Sequence, residues 1–205
     1  MQLSIIIILA PLLIQGIKMN NASLGIDLGG SKLLLTTDNK IRAVYKTGTC
    51  FTPSKLLNII DQFIKENQLT INAIGLAVPG IVENNRKIIM SDVLPSFSGW
   101  HAAEALAAKW PSTTVVLNDV KAALYEVAST APKNANIIVV MTGTAIGSAC
   151  MIDGKVVTGS SGWAGELGYF PVLTNNKIVR LDELAGGAFM TQQLGLSTEE
   201  FQNAQ

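Results

Sequence analysis

Apolar and polar positions alternate in short blocks along this chain, and the blocks predict an α/β protein. Leu24 to Leu28 is apolar except for Asp27 and reads as a buried strand carrying one acid near its end. Lys32–Thr37 and Lys40–Lys46 predict two further strands, joined at Asp38-Asn39, a pair suited to a tight turn. Pro53–Gln68 predicts a helix. Leu56, Leu57, Ile60, Phe63 and Ile64 share one face at helical spacing, Thr52 can cap it, and Pro53 suits its first position. Asn72–Val78 predicts a strand ending in Pro79-Gly80, and Lys87–Met90 a shorter one. His101–Trp110 predicts an alanine-rich helix stopped by Pro111. Thr114–Leu117 predicts a strand with Asn118-Asp119 at its end, where Asp119 can cap a helix running to about Ser129.

The pattern then restarts. Asn136–Thr142 predicts a strand, Gly143 to Gly147 a glycine-bearing turn, Ser148–Ile152 a strand, Asp153-Gly154 a hairpin turn and Lys155–Val157 a strand. The first half runs the same way: strand, Gly29-Gly30 turn, strand, Asp38-Asn39 turn, strand. An internal repeat of this kind predicts two similar α/β halves, with the two glycine turns facing a shared cleft.

The first turn carries candidate chemistry. Glycines can take backbone angles closed to other residues and let a ligand approach the chain. Amides exposed in such a turn point at anions, and Ser31 and Lys32 add a donor and a charge. Asp27 stands where a Mg²⁺ escorting a phosphate could be held, directly or through water. An ordinary hairpin turn with an acid near its mouth fits the same residues.

Composition narrows the classes. The chain has 205 residues, 48% of them hydrophobic, and fifteen basic residues balance fifteen acidic ones. It can bury a core, and no Lys/Arg-rich run suggests a nucleic-acid surface. Cys50 and Cys150 stand far apart and read as buried small apolar residues in a reducing compartment. Residues 1–18 differ from the rest. The apolar run Ile5–Ile14 is shorter than the roughly 20 residues that span a bilayer. No Lys or Arg precedes it and Pro11 interrupts it, so it lacks the marks of a secretion signal. The predicted organisation is an appended or mis-started tail over 1–18, an N-terminal α/β lobe over 19–117 and a C-terminal α/β lobe over 118–205. A membrane anchor or a degenerate signal is the alternative for the tail.

Asp-Leu-Gly-Gly-Ser-Lys (27–32), Val-Pro-Gly (78–80), Leu-Asn-Asp (117–119), Thr-Gly-Thr-Ala-Ile-Gly (142–147) and Ala-Gly-Glu-Leu-Gly-Tyr (164–169) stand in order along the chain. In this order and spacing the chain resembles the ROK family, from about Leu24 to Phe189. That family comprises bacterial sugar kinases and related repressors. The resemblance implies an actin/hexokinase-like (ribonuclease H-like) duplicated two-lobe α/β fold, with the second lobe incomplete. It implies ATP-dependent phosphorylation of a hexose or N-acylhexosamine, of the glucose, N-acetylglucosamine or N-acetylmannosamine type. Asp119 resembles the catalytic carboxylate, which would orient the sugar hydroxyl and accept its proton; a plain helix cap is the other reading of it. Gly80, Asn118, Glu166 and Asp182 match substrate-binding positions. Asp27, Gly29, Gly30, Ser31 and Lys32 in the first half, and Thr142, Gly143 and Thr144 in the second, match positions that bind the nucleotide phosphates, with Mg²⁺ at Asp27.

The chain also departs from the family. Tyr169 stands where many members have histidine, and no cysteine lies beyond Cys150, so the family's zinc site is not expected. Asp182 is one methylene shorter than the family's glutamate, and Ala145 replaces a glycine. The family's second half continues past Phe189 into an adenosine-binding segment, so the reading is a truncated kinase with activity impaired. The alternatives are a non-catalytic sugar-binding or regulatory protein, or an inactive gene fragment. The expected partners are a small sugar and a nucleotide, with no nucleic acid, no membrane and a homodimer as an option, in the cytoplasm. His101 and Trp100, Trp110 and Trp163 read as surface or packing residues, with Trp163 close in sequence to Glu166.

Overall fold

The computed structural model describes residues 21–143 and 145–195. The tail over 1–18, Thr144 and the polar segment 197–205 lie outside the described residues. The chain divides into two units, one up to Ala122 and one from Ala123.

The first unit is built on β1 (Asn21–Leu28), β2 (Lys32–Thr37), β3 (Arg42–Lys46), helix α1 (Pro53–Glu66), β4 (Thr70–Val78), β5 (Ile81–Glu83), β6 (Lys87–Met90), α2 (Ala102–Lys109) and β7 (Thr113–Asn118). Five strands form one sheet in the order β3-β2-β1-β4-β7. β1, β2 and β3 are antiparallel neighbours, whereas β4 and β7 run parallel to β1. The central strands are apolar because they are covered: Leu24, Ile26 and Leu28 of β1 and Ile74, Leu76 and Val78 of β4 are all buried. α1 adds Leu56, Ile60 and Phe63 to the same core, with Leu57 and Ile64 partly buried beside them. Each such buried side chain contributes about 1.5–3 kcal/mol relative to exposure. The Thr52 hydroxyl accepts from the Lys55 amide at 3.3 Å and Pro53 opens the helix, as the sequence predicts.

Three local expectations are corrected. β3 begins at Arg42 rather than Lys40, because Thr37 donates its amide to Ile41 and Lys40 takes a left-handed φ of 64°; Asp38-Asn39 is part of a wider loop. β5 was not predicted. It pairs with β6 around Asn84-Asn85, both left-handed, an Asn pair that is itself a hairpin signal. Cys50 is exposed between β3 and α1 and Cys150 is only partly buried, so neither is a core thiol.

The second unit begins within α3 (Asp119–Ala128). It continues through β8 (Ile137–Thr142), β9 (Ile146–Ile152), β10 (Lys155–Val156), β11 (Pro171–Thr174), β12 (Lys177–Arg180), α4 (Asp182–Ala185) and α5 (Gly187–Leu194). β8, β9 and β10 form an antiparallel meander turning at Asp153-Gly154, and β11 and β12 form a separate hairpin. The internal repeat is therefore structural: β1–β2–β3 and β8–β9–β10 are both antiparallel meanders whose first hairpin holds the glycine turn. One face of β8–β9 reaches the surface through Ile138, 72% exposed, with Val140 and Ile152. Trp100 and Trp110 pack against the first unit's core, as expected.

Candidate functional site

Three of the sequence motifs meet at one edge of the first unit's sheet. Parallel pairing places Asp27 beside Ala77, Ala77 beside Leu117, and Val78 beside Asn118. The carboxyl ends of β1, β4 and β7 are thus neighbours, and each runs directly into a motif: Gly29–Lys32, Pro79-Gly80 and Asn118-Asp119. Strands lie about 4.8 Å apart, so the three motifs fall within roughly 10 Å across the sheet. In open α/β sheets, ligands bind outside the carboxyl ends of the strands.

The Gly29–Lys32 turn is held by backbone bonds. The Gly29 amide donates to the Lys32 carbonyl at 2.8 Å. The Thr47 hydroxyl donates to the Gly29 carbonyl at 2.7 Å, and the Thr47 amide to the Ser31 carbonyl at 3.1 Å. Neither Gly29 nor Gly30 has a positive φ, contrary to the expectation of special backbone angles. Space is the requirement instead: a Cβ on Gly30 would lie 2.5 Å from Val93 Cγ1. Burial pushes the Asp27 carboxyl above its ordinary range, and the nearby Lys32 ammonium partly offsets this.

Gly80 and Asn118 form one unit of structure. Gly80 takes φ 135°, and a Cβ there would overlap the Met90 carbonyl oxygen. The Asn118 amide Nδ2 donates to the Gly80 carbonyl at 3.0 Å. The other end of the same side chain caps α3, with Oδ1 accepting from the Val120 and Lys121 amides at 3.0 and 3.1 Å. The sequence assigns that cap to Asp119. Asp119 instead accepts from the adjacent Val120 amide, at 2.9 Å, because β7 runs on through Asn118, one residue beyond the predicted end, and Asn118 occupies the capping position. Ser91, buried, ties the same turn: its hydroxyl donates to the Pro79 carbonyl at 2.6 Å and accepts from the Leu94 amide.

The second unit gathers the remaining predicted residues around the β8–β9 turn. The Gly143 amide donates to the Ala145 carbonyl at 2.9 Å, and the Gly143 carbonyl accepts from the Gly187 amide, at the start of α5, at 2.7 Å. Asp182 Oδ1 accepts from the Ile146 amide at 2.6 Å. Its carboxylate also lies where a Cβ on Gly168 would be. Asp182, matched by sequence to a sugar contact, is thus a strut between the start of β9 and the Glu166–Tyr169 turn. Gly165, at φ 96°, accepts from both the amide and the hydroxyl of Ser148. Glu166 is half-buried, and its carbonyl accepts from the Tyr169 amide at 3.2 Å. Thr142 closes β8 opposite Ile146, and Thr144 lies outside the described residues.

Sequence reasoning missed several residues that shape these turns. Thr47 and Val93 hold the first glycine turn from distant segments. Arg180 stacks over the Tyr169 ring at 4.3 Å, and Trp163 meets the same ring edge-on at 5.2 Å. Only the Trp163–Glu166 proximity was legible beforehand. Among the described residues no cluster of three His, Cys, Asp or Glu forms a metal cage, and no helix is long and apolar enough to cross a membrane.

Comparison with known proteins gives a consistent picture. The model of the ROK family matches residues 23–180. The Clostridium perfringens protein CPE0188 is 30% identical over 72% of this chain and 54% of its own length. The N-acetylgalactosamine kinase AgaK of Shewanella is 28% identical over 74% of this chain and 52% of its own. The N-acetylmannosamine kinase of Salmonella typhimurium is 26% identical over 72% and 53%. The chain spans about half the length of the curated relatives it matches. Among solved structures, a ROK family transcriptional regulator homologous to the E. coli MLC protein superposes with TM-score 0.72 at 17% identity, over 86% of this chain and 50% of that one. A ROK family glucokinase from Streptomyces griseus, in complex with glucose and AMPPNP, superposes with TM-score 0.69 at 19% identity, over 83% and 59%.

Proposed function

The chain belongs to the ROK family, has its mixed α/β, actin-like fold, and on that premise we propose that it is a sugar kinase, transferring a phosphoryl group from ATP to a hexose or N-acylhexosamine. The observation that carries this reading is the meeting of Gly29–Lys32, Pro79-Gly80 and Asn118-Asp119 at the carboxyl ends of β1, β4 and β7. Phosphoryl transfer needs a positioned base at the acceptor hydroxyl and donors on the phosphates, with little covalent chemistry from the protein. Asp119 serves as the base, orienting the hydroxyl and taking its proton. Gly80 lets the sugar approach the backbone, and the bond from Asn118 fixes where that backbone lies. Glu166 receives sugar hydroxyls, and Thr142 to Thr144 contact outer phosphates. The Gly29–Lys32 turn, with the Ser31 hydroxyl and the Lys32 ammonium, holds phosphate oxygens. The residues fit a Mg²⁺ that keeps most of its water: Asp27 alone would hold it, and a half-buried carboxyl disfavoured as an anion gains from a cation. Bound there, the ion would neutralise charge on the donor phosphates. Residues 19–117 and 118–205 are the two lobes of this reading, and dependence on ATP sets it in the cytoplasm.

A second reading, sugar binding without phosphotransfer, is favoured by one observation. The Gly143 amide is already bonded to the Ala145 carbonyl, so it meets a phosphate only if that turn opens. A coupled assay of ADP release with glucose, N-acetylglucosamine, N-acetylmannosamine and N-acetylgalactosamine, run beside calorimetry of each sugar, separates the two. ADP release that depends on one sugar is expected. Sugar binding with no ADP release would hand the protein to the second reading, and neither result would reject both.

A further inference from the structure

The first unit carries a pocket that the catalytic reading does not use. It lies between the end of β3 and the start of α1, with a volume of about 560 Å³. Phe51 and Ile59 give it an apolar wall, and Lys46, Lys55 and Thr49 bring polar groups to it. Among the described residues no carboxylate lines it, although the chain as a whole balances its charges. Among the described residues neither Lys46 nor Lys55 is in an ion pair, and the Lys55 ammonium donates only to the Cys50 carbonyl, at 3.2 Å.

A second observation, independent of the pocket, points to its ligand. Lys46 is the direct cross-strand partner of Lys32. Such partners have Cβ atoms about 5 Å apart on one face, and like charges there are destabilising. An anion bound beside Lys46 relieves that repulsion. The pocket is also joined to the glycine turn, because Thr47, in its lining, makes both bonds to Gly29 and Ser31.

We propose that this pocket is a second phosphoanion site, in which Lys46 and Lys55 hold a phosphate group and Phe51 and Ile59 face whatever carries it. Two sources offer that chemistry: a separate phosphorylated metabolite, or the far end of a phosphate chain that begins at Gly29–Lys32. Both are anions that ammonium groups bind as point charges. The site is independent of whether the protein transfers phosphate, so its test needs no activity.

The test is a titration of the full chain, followed by backbone amide NMR at constant ionic strength. The probes are inorganic phosphate, glucose 6-phosphate and tripolyphosphate. Saturable shifts at Thr47, Gly48 and Thr49 are expected. Lys46→Gln with Lys55→Gln should weaken binding at least tenfold, whereas Lys46→Arg with Lys55→Arg should keep it within about threefold. Saturation of these amides by phosphate or glucose 6-phosphate, with Gly29 and Gly30 unmoved, identifies a separate metabolite as the source. Joint movement of Gly29, Gly30 and the pocket amides with tripolyphosphate alone identifies the phosphate chain. Absence of saturable shifts at Thr47–Thr49 with all three probes, or affinity unchanged in the double Gln variant, would overturn the proposal.

Discussion

Asn118 spans two functions with one side chain: its Nδ2 donates to the Gly80 carbonyl at 3.0 Å while its Oδ1 caps α3. It is 6% exposed, so both bonds are made away from water and both count. Asn118→Ala should lower stability in urea by about 2–4 kcal/mol. That sums a lost cap, worth about 1 kcal/mol, and a buried carbonyl left without its donor, worth about 1–3 kcal/mol. Asn118→Ser, which can still cap, should recover part of the loss. Unfolding midpoints that coincide with the parent in both variants would remove Asn118 from this structural role.

Glycine substitutions should separate crowding from ligand approach. Gly80→Ala meets both a φ of 135° and the Met90 carbonyl, and should cost more than about 3 kcal/mol. Gly30→Ala should cost about 1–3 kcal/mol, and Val93→Ala in the same chain should restore most of it, since Val93 Cγ1 is the obstacle. A Cβ on Gly143 meets nothing within 4 Å, so Gly143→Ala should leave stability unchanged. Any loss of nucleotide affinity in that variant then reports a ligand approaching the turn. Thermal melts and nucleotide titrations of the four variants decide these points.

Asp27 gives a pH prediction. Its carboxyl is raised in the folded state from an ordinary value of 3.8, so the native chain holds that proton more tightly than the unfolded chain. Stability from this group is greatest below 3.8 and is lost as pH rises through the folded value. Asp27→Asn should therefore gain stability over the parent as pH rises from about 4 towards neutrality, measured by urea unfolding across that range. Mg²⁺ should raise the parent's melting temperature and leave that of Asp27→Asn unmoved. A stability difference independent of pH would show that burial does not disfavour this carboxylate.

Asp119→Asn keeps the shape and removes the base. Sugar affinity by calorimetry should stay within a few fold, while turnover falls by about 10²-fold or more. Helix stability should hardly change, because Asn118 and not Asp119 caps α3. Equal turnover in parent and variant would take Asp119 out of the chemistry.

Asp182 should behave as a strut. Asp182→Ala removes the acceptor of the Ile146 amide, and hydrogen exchange at that amide should quicken at least tenfold, since protection follows local stability. Asp182→Asn keeps an oxygen acceptor and should change it far less. Exchange at Ile146 that is the same in all three chains would remove Asp182 from this bracing role.

The sequence by itself determined β1 to β4, β6 to β10, α1 to α3 and the repeat, because each rests on near neighbours, whereas β5, β11, β12, α4 and α5 were not read from it. Leu56, Ile60 and Phe63 mark α1 by their spacing, Thr52 and Pro53 mark its start, and the apolar run Leu33–Leu35 between the Gly29-Gly30 and Asp38-Asn39 turns marks β2. The motifs carry the family for a similar reason: spacing along the chain is itself a sequence property. What joins segments remote in sequence needed the tertiary structure. Nothing near Gly30 in the chain shows that Val93 forbids a side chain there, and nothing near Asn118 shows that Gly80 takes its amide. That Asp182 also holds the Ile146 amide is hidden for the same reason, since Ile146 lies on another element. Parallel pairing of β1, β4 and β7, a long-range choice made by burial on both faces of the sheet, is what brings three separated motifs to one edge.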